Sequence, residues 1–310
     1  MSVQIDVLDD ILNTIRLNGT VYFQRQFKGD WGIETKATPF KKFHIIVDGR
    51  CWLRADFLQA PLQLAHGDII AFPHGSPYRL SADVNSLCVS ADELLNDLHR
   101  ASRLFADGVS SATIVFGHVE FTRDFNHPFM RDLPPFIHIR GQDDDDLNAL
   151  RAVANLTVTE TRLQRPGAGS VVKRLAEVLH LYTLRAHVLS QQGSGSFHAA
   201  YHDPIIYRAL QIIHANIAEN WTLEQLAKQV NVSRTVFTTR FKELVGMAPM
   251  RYITVWRMQK ARELLETSRD TIASIASAVG YSSEAALSHA FVREFHDTPG
   301  RFRQTHASHD

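Results

Sequence analysis

The last third of the chain writes one pattern twice, and few folds accommodate that. Thr222–Tyr252 reads TLEQLAKQVNVSRTVFTTRFKELVGMAPMRY, and Thr271–Phe302 reads TIASIASAVGYSSEAALSHAFVREFHDTPGRF. At an offset of 49, Thr222, Leu223, Leu226, Ala227 and Val230 match Thr271, Ile272, Ile275, Ala276 and Val279. The second copy then gains one residue in its turn. At an offset of 50, Ser233, Phe237, Phe241, Pro249 and Tyr252 match Ser283, Leu287, Phe291, Pro299 and Phe302. Two copies are too few for a solenoid and fit one supersecondary unit used twice. Each copy reads as a helix-turn-helix. Thr222 and Thr271 are N-caps before an apolar stripe. Asn231 and Gly280 are turn residues that tolerate left-handed backbone. Ser233 and Ser283 cap a second helix, whose inner side is Phe237, Phe241 and Leu244 in one copy and Leu287, Phe291 and Phe295 in the other.

The outer side of each second helix is polar. It carries Thr235, Thr238, Thr239 and Lys242 in the first copy, and Glu284, Ala285, Ser288, His289 and Arg293 in the second. Short polar side chains with a base at the far end suit a helix lying in a major groove. Between the copies, Met250–Ser268 spaces Ile253, Trp256, Ala261, Leu264 and Leu265 as one long helix. About 19 residues at ~1.5 Å each span roughly 28 Å, against ~34 Å between successive major-groove faces on one side of a duplex. The charge balance agrees. Residues 204–310 hold 13 Lys+Arg and 10 Asp+Glu, a net of +3, whereas residues 1–203 hold 20 and 23, a net of −3. The polar, Gly-rich run SQQGSGSFHAAYHD over 190–203 reads as the linker between the two parts.

Residues 204–310 resemble the DNA-binding domain of the AraC/XylS family of bacterial transcription regulators. The resemblance is most specific over Arg262–Arg303. There Gly280-Tyr281-Ser282, the pair Phe291 and Phe295, and Thr298-Pro299-Gly300-Arg301-Phe302-Arg303 follow the family's pattern. It implies base-facing positions at Thr235, Thr238 and Thr239 in the first unit and at Glu284, Ala285, Ser288 and His289 in the second. The first set is smaller than the family often carries.

The N-terminal part alternates like short strands separated by turn signals, which suggests a barrel or sandwich. Phe43–Val47 precedes Asp48-Gly49, a hairpin signal, and Cys51–Arg54 reads as the return strand. Leu62–Leu64, Asp68–Phe72 and Leu87–Val89 are further strands, with turns at His66-Gly67 and at Pro73-His74-Gly75-Ser76-Pro77. Gly67-Asp68 through Pro73-x-Gly75 resembles the second motif of the cupin barrel. The Phe43-His44…Trp52 segment, Gly117–Phe121 and His127-Pro128…Leu133-Pro134-Pro135 resemble the cupin domain of one AraC-family branch. A catalytic metal in such a barrel needs several His and a carboxylate converging. The His-x-His pair is absent, since Ile45 and Ile46 follow His44, and Tyr78 stands where the second motif offers a ligand His. A structural zinc through His44 or His74 with His118 or His127 stays open as the alternative to no cofactor. Cys51 and Cys88 sit in apolar strand contexts and read as small buried hydrophobes. The competing reading is a redox sensor, which needs an accessible thiolate. Two helices follow over 147–189, with a break at Arg165-Pro166-Gly167. Their apolar stripes serve the core, and in the family a helix placed here commonly mediates dimerisation. The Asp143–Asp146 run reads as a solvated loop leading into the first helix.

The expectation is an α+β protein. It comprises a cupin-like β-barrel with a helical hairpin over 1–190, a linker over 191–203, and an all-α domain of two helix-turn-helix units over 204–310. With 45% hydrophobic residues, neither a disordered chain nor a spanning segment of about 18 apolar residues fits. The acidic start MSVQIDVLDD has no signal-peptide pattern, so a cytoplasmic protein is expected. Its function is that of a one-component, sequence-specific transcription regulator rather than an enzyme. Its expected partners are promoter DNA, RNA polymerase, a small-molecule or oxidant effector and a second copy of the chain. A cupin-type metalloenzyme with an appended helical domain is the alternative.

Overall fold

The computed structural model describes residues 5–15, 17–96, 107–121, 127–141, 148–190 and 197–306. The Asp143–Asp146 run and residues 191–196 of the expected linker lie outside the described residues. The chain forms two compact units that are discontinuous in sequence. One comprises Arg16–Arg123 with Leu133–Leu189; the other comprises Met1–Ile15, Asp124–Asp132 and Ser190–Asp310.

The first unit is the cupin-like barrel. Its strands are β1 Leu17–Lys28, β2 Gly32–Thr35, β3 Lys41–Arg54, β4 Leu62–Ala65, β5 Ile69–Phe72, β6 Tyr78–Ser81, β7 Val89–Ser90, β8 Ser110–Phe121 and β9 Ile137–Ile139. They hydrogen-bond in the order β1-β8-β3-β6-β2-β7, with β4 and β5 also on β3 and β9 on β5. All pairs are antiparallel except β2 with β7. The period-2 alternation places Leu53, Leu64, Ile70, Phe72, Tyr78, Leu80, Ile114 and Phe116 in one core, together with Phe27 and Trp31. Helices α2 Ala91–Asn96, α4 Asn148–Leu163 and α5 Ala168–Ser190 complete the unit. The last two are the expected helical hairpin. They bury Leu150 and Ala154, and Val172, Ala176, Leu179 and Leu184.

The hairpin expected at Asp48-Gly49 is not there. Phe43–Val47 and Cys51–Arg54 are two halves of one 14-residue strand. The register with β8 shifts between Ile46 and Asp48, and Gly49 has φ +75°. This is a bulge, which bends and twists a strand where a hairpin would reverse it. Before the bulge β3 is flanked by β5 and β8; beyond it, by β4 and β6. A turn signal and a bulge draw on the same residue types, so the dipeptide alone does not separate them.

The second unit is helical: α1 Val7–Thr14, α3 Pro128–Arg131, α6 Pro204–Ala215, α7 Leu223–Gln229, α8 Arg234–Val245, α9 Pro249–Thr267, α10 Ile272–Ala278, α11 Glu284–Phe295 and α12 Pro299–His306. The sequence reading places 197–203 in a linker. In the structure this stretch is ordered: Phe197, His198, Ala199 and Ala200 are buried, and the Asp203 side chain caps α6 through the amides of Ile205 and Ile206. The segment's polarity hid this, because Phe197 is the one large apolar side chain in it.

A buried polar chain runs through this unit. Tyr252 on α9 is fully buried, and its hydroxyl lies 2.7 Å from His214 Nε2 and 3.2 Å from His127 Nε2. His214 Nδ1 lies 2.7 Å from Asp10 Oδ2, and Lys260 Nζ lies 2.9 Å from Asp10 Oδ1. The Phe129 amide donates to His127 Nδ1 at 3.2 Å. These partners assign every proton. His127 donates through Nε2–H to the Tyr252 oxygen, Tyr252 donates to His214 Nε2, and His214 donates through Nδ1–H to the Asp10 carboxylate. Both imidazoles are neutral in this arrangement. Burial drives the pKa of His127 well down, and it lowers that of His214 despite the opposing pull of Asp10. Burial alone would raise Asp10, but hydrogen bonds from His214 and Lys260 outweigh it and hold the carboxyl below its ordinary value.

Two predictions follow from these packings. A Cβ at Gly49 would stand 2.0 Å from the Ser111 carbonyl oxygen on a left-handed backbone. Gly49→Ala should destabilise the barrel by about 2 kcal/mol or more, and an unchanged thermal midpoint would contradict the bulge. The second concerns acid. Burial lowers His44 to about 3, His180 to about 4, and His127, His187 and His214 below the ordinary 6.5. The unfolded chain therefore binds more protons below pH 6.5. Stability is fully present above that pH and falls as pH drops toward the folded values. The slope is about 1.4 kcal/mol per pH unit for each histidine inside its window. Urea midpoints should fall clearly from pH 7 to pH 5; a flat profile would sink this account.

Candidate nucleic-acid interface

Both helix-turn-helix units fold for the local reasons their sequences contain. Thr222 caps α7 and forms a reciprocal capping box with Gln225, and Thr271 caps α10 through the Ser274 amide. Asn231 at φ +57° and Gly280 at φ +80° make the turns. The Ser233 side chain accepts the Val236 amide and the Ser283 side chain accepts the Ala286 amide, starting α8 and α11. Leu226, Phe237, Phe241 and Val245 have no exposed surface in the first unit, nor have Ile275, Leu287 and Phe291 in the second. Leu244 and Phe295, also expected inside, are half-buried.

The helix between the copies is α9, 19 residues long. It runs about 28 Å at ~1.5 Å per residue. Arg257 on it fastens the second unit's turn. Its guanidinium donates to the carbonyls of Ile217 at 2.9 Å, Gly280 at 3.0 Å and Glu219 at 2.7 Å. Gly280 is needed there, since a Cβ would come within 2.6 Å of the Ala218 carbonyl oxygen. The apolar spacing that predicts this helix gives no sign of the role of Arg257, because the three carbonyls come from two separate segments.

The residues singled out for DNA fall on the outer surface. Thr235, Thr239 and Lys242 on α8 are exposed, as are Glu284, Ala285, His289 and Arg293 on α11. Thr238 and Ser288 are half-buried. The Thr238 hydroxyl donates to the Arg234 carbonyl at 2.9 Å, so it turns toward its own helix. Sequence reading missed Val236, which is 50% exposed on the same surface. At about 100° per residue Thr239 lies opposite Phe237 and Phe241, with Thr235 about 40° to one side of it and Val236 about 60° to the other. It also missed the pairing of Arg240, whose Nε lies 2.6 Å from Asp203 Oδ2.

The sensor candidates do not converge. His44 lies inside the barrel, hydrogen-bonded to the Tyr78 hydroxyl and packed edge-on against the Phe116 ring at 4.7 Å. His74 donates through Nε2–H to the Leu133 carbonyl at 2.7 Å, and His118 faces Glu120 at 3.1 Å. His127 belongs to the helical unit. Among the described residues no group of three His, Cys, Asp or Glu is placed to hold a metal ion. Cys51 is buried in the barrel core, where burial pushes its thiol up to about 12. Cys88 is half-buried and also shifted upward by burial. A cavity of ≈ 350 Å³ opens on the barrel, lined by Glu34, Thr35, Arg54, Asp56, Gln59, Tyr78 and Arg79 among others. No helix among the described residues is long and apolar enough to cross a membrane.

Comparison with known proteins follows the same division. The cupin family model matches residues 6–189, and the helix-turn-helix domain model matches residues 226–305. The chain is 30% identical over 307 residues to the HTH-type transcriptional regulator AlkR of Acinetobacter baylyi, covering 96% of this chain and 99% of that protein. It is 29% identical over 308 residues to a putative AraC-like transcription regulator of Streptomyces lividans, covering 96% and 98%. Among solved structures, an AraC-type regulator from Chromobacterium violaceum matches 36% of this chain and 99% of its own at 31% identity, with a TM-score of 0.34. With a cupin barrel ahead of two capped, outward-facing helix-turn-helix units, the chain belongs to the AraC-like family of DNA-binding transcription regulators.

Proposed function

We propose that this regulator reads double-stranded promoter DNA with α8 and α11. The carrying observation is that both helices are capped at their N-termini and present exposed residues on the side away from their cores. Recognition helices contact base edges through their N-terminal residues. On this reading Thr235 and Thr239 face bases in one half of the site. Glu284, Ala285, Ser288 and His289 face the other half, with His289 able to donate to or accept from a base edge. Lys242 and Arg293, farther along their helices, meet phosphates.

The barrel is the sensor. The upward shifts of both thiols disfavour the thiolate that an oxidant would attack, which supports a small molecule over an oxidant as the signal. The histidines a metallocupin would use are each engaged with protein groups, which supports a non-enzymatic barrel without a metal cofactor. The effector shifts an equilibrium between arrangements of the protein, and DNA affinity follows its preference for one of them. RNA polymerase and a second copy of the chain are the protein partners that a cytoplasmic regulator of this family would engage.

Full-length protein should shift a duplex carrying its selected site, with log affinity falling about 0.9 per decade of salt for each phosphate neutralised. A salt-independent affinity would contradict the reading. Lys242→Ala should weaken all sequences about equally and reduce that slope by about one unit. A changed base preference in Lys242→Ala, with none in His289→Ala, would overturn the assignment of faces.

A further inference from the structure

The exposed surface of α8 is unusual for a helix that reads DNA: its outermost residues carry methyl groups, and its guanidiniums are occupied. Thr235, Val236 and Thr239 lie together opposite the buried Phe237 and Phe241, and all three are exposed. Val236 is half exposed there, and a β-branched residue at an exposed helical site gains nothing from intrinsic propensity. The corresponding position in the second unit, 50 residues on, is Ala286, which is half-buried.

Both guanidiniums of α8 have carboxylate partners. Arg240 Nε and Nη2 lie 2.6 and 2.5 Å from Asp203 Oδ2, and that carboxylate also caps α6 through two amides. Withdrawing Arg240 would leave a side chain that is only 9% exposed without its charge partner. Arg234 Nη1 lies 2.8 Å from Glu224 Oε1, and the Thr238 hydroxyl donates to the Arg234 carbonyl. The bidentate grip on guanine that commonly specifies sequence in the major groove would therefore have to compete with a carboxylate for either guanidinium of this helix. Near the N-terminal end of its outer face stand the branched methyls of Val236, Thr235 and Thr239, and the major-groove edge of thymine carries a C5-methyl group.

We infer that α8 reads thymine methyl groups, with Val236 as a specificity-determining residue beside Thr239. The inference rests on the DNA-binding reading above and adds the chemistry of one half of the site. Burying one methyl group contributes about fourfold in affinity, so two or three such contacts distinguish a thymine-rich half-site without a guanine anchor.

The test uses the full-length chain and a duplex selected from a random library. Each thymine in the site is replaced singly by deoxyuridine, which removes only the C5-methyl. At one or more thymines in one half of the site, the substitution should weaken binding about fourfold. Val236→Ala should lower affinity for the thymine duplex and abolish the thymine-over-uracil preference at one position. Its thermal midpoint should match the parent's, because Val236 is half exposed. Thr235→Val, which keeps a branched methyl and loses the hydroxyl, should retain the preference. The inference is overturned if uracil is tolerated throughout the site, or if Val236→Ala leaves every thymine-to-uracil ratio unchanged. If Thr235→Val loses base preference, Thr235 reads through its hydroxyl and the methyl surface fails at that residue. A parent protein that selects no sequence overturns the DNA-binding reading itself, and this inference with it.

Discussion

A buried hydroxyl in the helical unit holds together pieces that lie far apart in the chain. Tyr252 has no exposed surface, so its oxygen must both donate and accept inside the protein or lose the hydration it would have in water. His214 supplies the acceptor and His127 the donor. Asp10 and Lys260 then close the chain of protons at the far end. Four segments meet through these groups: α1, the 127–131 turn, α6 and α9. Since α9 connects the two helix-turn-helix units and also fastens the Gly280 turn through Arg257, the setting of both recognition helices depends on it. A buried network of this kind is worth having only when every member is satisfied, and the tautomers assigned by the partners leave none of the ring nitrogens of His127 and His214 idle.

The barrel is organised by a different constraint. Its longest strand serves two sheet partners on each half, and a single glycine bulge turns the strand from one set to the other. The interior that results is mostly apolar and aromatic, with His44 and Tyr78 as a hydrogen-bonded pair within it. A histidine pushed down to about 3 by burial is neutral at any physiological pH. It serves there as a fixed polar group. The turn after β4 shows the same economy. Asp68 accepts the amides of Ala65 and Gly141 and faces His138 at 3.0 Å, tying β5 and β9 to one carboxylate.

The two helix-turn-helix units share a scaffold and differ at the surface. The same cap, turn and aromatic positions recur, yet Arg234, Val236 and Thr239 on α8 stand where α11 has Glu284, Ala286 and His289. Packing fixes the inner face of each helix, because a charge or a void there costs several kcal/mol. The outer face is free of that packing constraint and can vary without loss of the scaffold.

The repeat, the caps, the apolar stripes and the cupin-like turns were legible in the amino-acid order, because each is set by residues within about one turn of helix or one strand of each other. Leu226, Phe237, Phe241 and Phe291 were therefore placed correctly in the core, and Thr235, Thr239, His289 and Arg293 on the surface. What the order left open depends on partners distant in the chain. Asp48-Gly49 satisfies a hairpin turn and a bulge equally, and only the pairing with β8 chose between them. Residues 197–203 looked like linker until Phe197 and Asp203 found partners around Asp132, α6 and Arg240. Arg240 became a structural staple because of Asp203, and Val236 stood out only once its neighbours were known to be packed elsewhere. Local propensity and periodicity are written within a dozen residues. Hydrogen-bond and ion-pair partners 40 to 250 residues away are chosen by tertiary packing, so the sequence alone determined the elements and their faces, and the folded structure decided which polar groups remain available for function.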